Sequence, residues 1–293
     1  MTRLTRLTRL TRLTRRTSGL LSIGAATALA VGAALAVPAF ASQGTASAAA
    51  STAGREAKPT VVLVHGAFAD SSSWNAVIKR LTHDGYPVRT VANPLRGLPT
   101  DTAAAKDVLR SVHGPVILVG HSYGGAVITE AAAGDSEVRA LVYLAALAPD
   151  TGETASGPSD IPVEHPLPPL PSEQVTTVAA DGSQSVDVYL RQDRFAERFA
   201  ADVDPQTAAE MAVTQRPLDA GATRTEVTAA AWHDIPSYYL TAANDRTIEP
   251  EKERWFARRI HAHAEEVDSS HAVMVSHPGA VTRLIEEAAR EQD

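Results

Sequence analysis

Three observations predict an α/β fold built on a mainly parallel sheet of about six strands flanked by helices. Short β-branched runs closed by glycine alternate along the chain with amphipathic helical stretches. The strand runs are apolar on both faces, as strands covered by helices on both sides must be. The 293 residues, 44% of them apolar, suffice for one large core.

The elements follow in order. T-V-V-L-V-H-G (Thr60–Gly66) is a β-branched run ended by glycine and reads as the first buried strand. Ser73 to Leu81 reads as a helix and Tyr86 to Val91 as the second strand. Asp101 to Val112 is helical, with Ala104, Val108 and Leu109 on its apolar face. Val116 to Val119 is the third strand, Tyr123 to Ala133 an alanine-rich helix, and Val138 to Leu147 a fourth strand. The alternation then stops. Between Asp150 and about Trp232 no strong apolar strand run occurs, and the closely spaced prolines of I-P-V-E-H-P-L-P-P-L-P (Ile161–Pro171) forbid a helix. Helices are expected near Arg194–Ala201 and Pro205–Thr214, so this insertion reads as a mostly helical cap after the fourth strand. The strand pattern resumes at Ser237–Asp245, followed by a helix (Glu249–Ile260), a short strand (Glu265–Val267) and a closing amphipathic helix (His277–Ala289).

The N-terminal region reads differently. Residues 1–41 carry six arginines and no acid, then an apolar run from Gly19 to about Ala36 and A-F-A at Ala39–Ala41. That order is a signal peptide, with an uncleaved anchor as its alternative, and Arg15-Arg16 leaves both Sec and twin-arginine export open. Residues 42–58 read as a flexible linker and 59–293 as the folded domain. Cleavage would remove six of the 27 basic residues and none of the 34 acidic ones, moving the net charge from −7 to −13. Such a chain is repelled by nucleic acid and by anionic membrane surfaces, so a neutral or apolar small molecule is the expected partner. With no cysteine, disulfides, zinc–thiolate sites and a cysteine nucleophile are excluded.

The chemistry concentrates in V-I-L-V-G-H-S-Y-G-G-A-V (Val116–Val127). Gly120-His121-Ser122-Tyr123-Gly124 fits G-x-S-x-G between a strand and a helix, the setting of a nucleophile elbow. The elbow strains the serine backbone and lifts its hydroxyl above the sheet. Glycines two residues away avoid a clash with the adjoining strand and helix. A serine nucleophile needs a base, and the base an orienting acid, in the chain order Ser, Asp or Glu, His. His271, in D-S-S-H-A-V-M after the last strand, is the expected base, with His277 the competitor; His261 and His263 end a helix and face solvent. No metal site is expected from H-A-H. Asp245 ends the fifth main strand and is the expected acid, with Asp150 after the fourth strand as its competitor. The amides of Ala67 and Tyr123 are expected to form the oxyanion hole, with Phe68 second to Ala67.

These residues resemble the α/β-hydrolases, and within them the branch of plant methylesterases, hydroxynitrile lyases and bacterial esterases. The shared features are V-L-V-H-G-A-F with Trp74 beyond it, V-G-H-S-Y-G-G, a strand ending N-D, and S-H-A-V-M. The resemblance implies the α/β-hydrolase fold and a substrate roof formed by the cap. Lyases of the branch carry threonine in place of the H-G glycine and lysine after the catalytic histidine. Here those positions are Gly66 and Ala272, which favours hydrolysis. The expected protein is a secreted, cofactor-free serine esterase acting on small or moderately apolar esters. Its alternatives are a lyase, C–C hydrolase or perhydrolase on the same residues, or a weakly catalytic ligand receptor. Substrate, acyl preference and oligomeric state stay open.

Overall fold

The computed structural model describes residues 57–291. The expected signal peptide and nearly all of the linker lie outside the described residues. Among those described, no helix is long and apolar enough to cross a membrane.

Six parallel strands form the central sheet: β1 (Thr60–Val64), β2 (Val88–Val91), β3 (Val116–His121), β4 (Val138–Leu144), β8 (Ser237–Ala242) and β9 (His263–Val267). Their spatial order is β2-β1-β3-β4-β8-β9. Residues of alternate parity feed two cores. Val62, Val64, Leu118, Leu141 and Tyr239 pack against α2 (Leu98–Arg110), α3 (Tyr123–Ala131) and α6 (Pro250–Arg259). Val61, Leu63, Ile117, Val119 and Leu240 pack against α1 (Asn75–His83), the short α7 (Val273–Ser276) and α8 (Pro278–Arg290). The two-residue period of a strand splits one apolar run between both faces, which is why the strands read as continuous rather than alternating.

The chain runs from β1 outward to β2 and returns to β3 on the other side of β1, so the strand order reverses between β1 and β3. Open parallel sheets bind ligands at the carboxyl ends of strands flanking such a reversal. Register places Val64 beside Gly120. The H-G-A-F segment thus leaves the sheet next to the serine elbow.

The cap holds α4 (Gln192–Phe199) and α5 (Pro205–Thr214), close to the expected helices. It departs from a mostly helical cap in also holding a three-stranded antiparallel sheet, β5 (Ser172–Val178), β6 (Gln184–Leu190) and β7 (Leu218–Asp219). S-E-Q-V-T-T-V and Q-S-V-D-V-Y-L contain no apolar run because β5 is exposed along almost its whole length. The signal lies in the turn: Asp181-Gly182 sits between two β-rich stretches, with Gly182 at φ +84°, as a tight hairpin requires.

Candidate active site

Ser122 closes the turn between β3 and α3 with φ 54° and ψ −126°, a backbone region that costs a non-glycine residue about 1–3 kcal/mol. The surrounding structure holds it there. Its N–H donates to the Leu144 carbonyl at 3.1 Å, and its carbonyl accepts from Gly125 (2.9 Å) and Leu147 (3.1 Å). A Cβ at Gly120 would sit 2.6 Å from the Gly124 carbonyl oxygen, and one at Gly124 would sit 2.5 Å from the Val64 carbonyl oxygen. Gly125 meets β4's exit in the same way, with Ala146 Cβ at 2.8 Å and the Leu147 oxygen closer still. The three glycines let strand, turn and helix approach to backbone contact.

His271 follows β9 and is fully buried; its Nδ1–H donates to Asp245 Oδ2 at 2.5 Å. Asp245 follows β8, and its other oxygen accepts the amides of Thr247 (2.6 Å) and Ile248 (3.0 Å). Three donors therefore aim the Asp245 carboxyl at the ring. The competitor, Asp150, is engaged elsewhere, with His233 at 2.8 Å and Arg259 at 3.3 Å. His277 likewise faces Asp202 at 3.5 Å. His271 Nε2 is buried and makes no hydrogen bond in this state, so the contact to Ser122 Oγ is not closed. Catalytic hydrogen bonds of this kind commonly tighten only when substrate arrives.

Two buried histidines, one on each side of the site, escaped the sequence reading. His121, fully buried, donates from Nε2 to the His271 carbonyl at 2.9 Å, and the two rings lie 4.7 Å apart. Burial, then the neighbouring His271, holds its pKa well below the ordinary histidine value. A neutral His121 thus braces the His271 loop without competing for its charge. His65 accepts the Asn93 N–H at Nε2 (3.1 Å), and burial lowers its pKa too. Their signal was polarity inside otherwise apolar strand ends. The Phe199 ring, from α4, meets the His271 ring edge-on at 4.8 Å. The Phe199 carbonyl accepts the Ala272 N–H at 3.0 Å.

Of the three expected oxyanion amides, Phe68 is occupied: its N–H donates to the Arg216 carbonyl of the cap at 3.2 Å. Ala67 is buried between this residue and Gly66. Tyr123 opens α3, where the first amides have no acceptor within the helix. Its phenol donates to Asp101 Oδ2 at 2.8 Å, which ties the helix start to α2. Of the H-A-H pair, His263 opens β9 instead of ending a helix. It forms a partly exposed ion pair with Glu287 at 3.3 Å, beside Glu265.

A strained serine between strand and helix, with a buried histidine–aspartate pair after β9 and β8, fits the strand–turn–helix arrangement of a nucleophile elbow. The chain belongs to the alpha/beta hydrolase family, whose family model matches residues 61–284. It is 26% identical over 257 residues to "Alpha/beta hydrolase nvfD" of Aspergillus novofumigatus (strain IBT 16806), covering 80% of this chain and 98% of the relative. Among solved structures it resembles polyneuridine aldehyde esterase (TM-score 0.65, 17% identity, 78% of this chain and 98% of that one). It also resembles the methylesterase MES16 from Arabidopsis (TM-score 0.65, 17% identity, 80% and 99%).

Proposed function

We propose that this chain is an exported serine hydrolase that cleaves carboxylic esters of small or moderately apolar molecules. The observation that carries this reading is the buried His271–Asp245 pair at the strand ends beside a serine held at φ 54°. Ser122 Oγ attacks the ester carbonyl while His271 Nε2, which has no other partner, takes its proton. Asp245 keeps the proton of the neutral ring on Nδ1 and stabilises the imidazolium that forms. The oxyanion meets the Ala67 and Tyr123 amides, a stabilisation of about 3 kcal/mol per donor. His271 returns its proton to the departing alcohol, then activates the water that releases the acid from Ser122.

The Phe199 ring beside His271 suits an apolar acyl or alcohol group. The ester-hydrolase names of the structural neighbours agree with this reading. Gly66 favours hydrolysis over cyanohydrin cleavage, since a Cβ there would lie 2.6 Å from Ser122 Cβ and a threonine has no room. Export rests on the basic, apolar and A-x-A order of residues 1–41.

Ser122→Ala in the purified protein is expected to lower turnover of p-nitrophenyl esters at least ~1,000-fold and to abolish labelling by a fluorophosphonate, with the melting temperature unchanged. Near-wild-type turnover in that variant overturns the assignment.

A further inference from the structure

Glu253 looks like one more charge in the surface helix E-P-E-K-E-R-W, yet none of it reaches solvent. It shares the buried side of α6 with Phe256 and Ala257, the i, i+3, i+4 spacing of an apolar stripe. Its Oε2 accepts the Ala242 N–H at 2.9 Å. Ala242 ends β8, and its own carbonyl accepts the Asp245 N–H at 3.1 Å. Glu253 is therefore anchored on the turn that carries Asp245, and the Asp245 charge acts on its buried carboxyl.

Two buried carboxylates held against one turn repel each other as anions, which favours a proton on one of them. Asp245 already accepts from Thr247, Ile248 and His271. Glu253 receives one amide, and its Oε1 is buried with no donor directed at it among the described residues. Among the described residues, no cationic side chain hydrogen-bonds to Glu253. Arg254, next along α6, turns outward to both carboxylate oxygens of Glu266 in β9 (2.8 and 2.7 Å). Tyr239 of β8, the remaining titratable neighbour, is buried and spends its hydroxyl proton on the Ala146 carbonyl. Burial first, then the charge of Asp245, pushes the Glu253 carboxyl well above the usual carboxylate range.

We propose that Glu253 is a positioning residue whose protonated carboxyl donates a hydrogen bond to Asp245 and holds that carboxylate aimed at His271. The role rests on Ser122, His271 and Asp245 being the reacting set. A neutral acid suits the position better than a lysine or arginine. It fixes the orientation of Asp245 without cancelling the negative charge that stabilises the His271 imidazolium in the transition state.

Three forms of the full chain test this: wild type, Glu253→Gln, which keeps a neutral donor, and Glu253→Met, which keeps the volume and removes it. The Gln variant is expected within about threefold of wild-type kcat at every pH, and the Met variant about 10- to 100-fold lower with KM little changed. Infrared spectra at pH 7 should show a protonated-carboxyl C=O band in wild type that the Gln variant lacks. The native carboxyl retains its proton above the unfolded value of about 4.3, so its stabilising contribution is complete below that pH and is lost as pH rises toward the native value. The melting temperature of wild type should therefore fall relative to Glu253→Gln as pH rises above about 4.5. A Met variant with wild-type kcat, a missing carboxyl band, or a pH-independent difference in melting temperature overturns the proposal. If the Met variant does not fold, the Gln variant and the infrared band decide. Absence of ester turnover and fluorophosphonate labelling in wild type would instead overturn the hydrolase reading, leaving the infrared and melting measurements to judge the Glu253–Asp245 contact.

Discussion

Strands β1, β3 and β4 are buried at nearly every residue, whereas β5 at the edge of the cap sheet is exposed along almost its whole length. The two sheets hold their shape by different means. The parallel sheet is wedged between helices on both faces, so each backbone group is located by close packing to within tenths of an ångström. The cap buries Leu190, Phe195 and Phe199 in the core it shares with the sheet and adds a set of polar clamps. Arg96 reaches Asp187 at 2.5 Å and the Pro217 carbonyl at 3.0 Å. The Gln215 amide pairs with both the N–H and the carbonyl of Leu190 at 2.9 Å. Arg198, buried, donates to the carbonyls of Arg246 (2.8 Å), Pro168 (2.9 Å) and Pro169 (3.3 Å). Every residue proposed to act on substrate leaves the parallel sheet. The cap reaches in through Phe199, which touches His271, through Asp202, which accepts from Ser270, through the Arg198 carbonyl, which accepts from Thr247, and through the Arg216 carbonyl, which holds Phe68. Precision at the site comes from the packed sheet, and the exposed cap hairpin is expected to open more readily.

Glycine substitutions in the two regions should separate most sharply. Gly125→Ala drives a Cβ into the backbone of β4's exit and should cost about 3 kcal/mol, a fall of roughly 6–12 °C in melting temperature. Gly182→Ala, in the cap hairpin, meets nothing within 4 Å and pays only for its positive φ, about 1 kcal/mol. Thermal melts of both variants check this, and equal losses would remove the distinction.

Arg198→Met tests the cap clamp. It leaves three carbonyls without their shared donor and should cost about 2 kcal/mol. The loss should be local. Limited proteolysis is expected to accelerate within residues 161–171 while the cooperative melting of the sheet moves by a few degrees. Cleavage spread evenly over the chain would show that cap and sheet open together.

A further difference concerns acid. His65 and His121 are buried with lowered pKa values, so between about pH 6.5 and their native values the unfolded chain binds more protons than the folded one. Stability is therefore complete above that unfolded value and declines as pH falls, by about 1.4 kcal/mol per pH unit for each histidine that stays neutral. Urea melts from pH 7.5 to 5 should show this slope. Because both residues end strands of the parallel sheet, the decline should appear in the sheet signal as much as in that of the cap.

Much of this molecule was legible in the chain. Apolar β-branched runs identified the parallel strands because strands covered on both faces leave no room for polar residues. G-x-S-x-G between strand and helix marked the elbow because only glycine tolerates the backbone contacts found at Gly120 and Gly124. The cap sheet was missed because exposed antiparallel strands place no such demand on composition, and only Asp181-Gly182 betrays the hairpin. Glu253 was hidden by its charge among other charged helix residues, although its spacing from Phe256 and Ala257 marks the buried face.

By itself the sequence determined the periodic elements, the strained serine and a short set of partners for it, since these follow from local sterics and from what burial permits. Only the tertiary structure decided which aspartate meets His271, 26 residues away from Asp245 and 150 from the bracing His121. It also decided that a glutamate on α6 is buried against the end of the strand that carries that aspartate. Such choices depend on distances across the fold and on which charges survive without water, and no spacing along a chain encodes either.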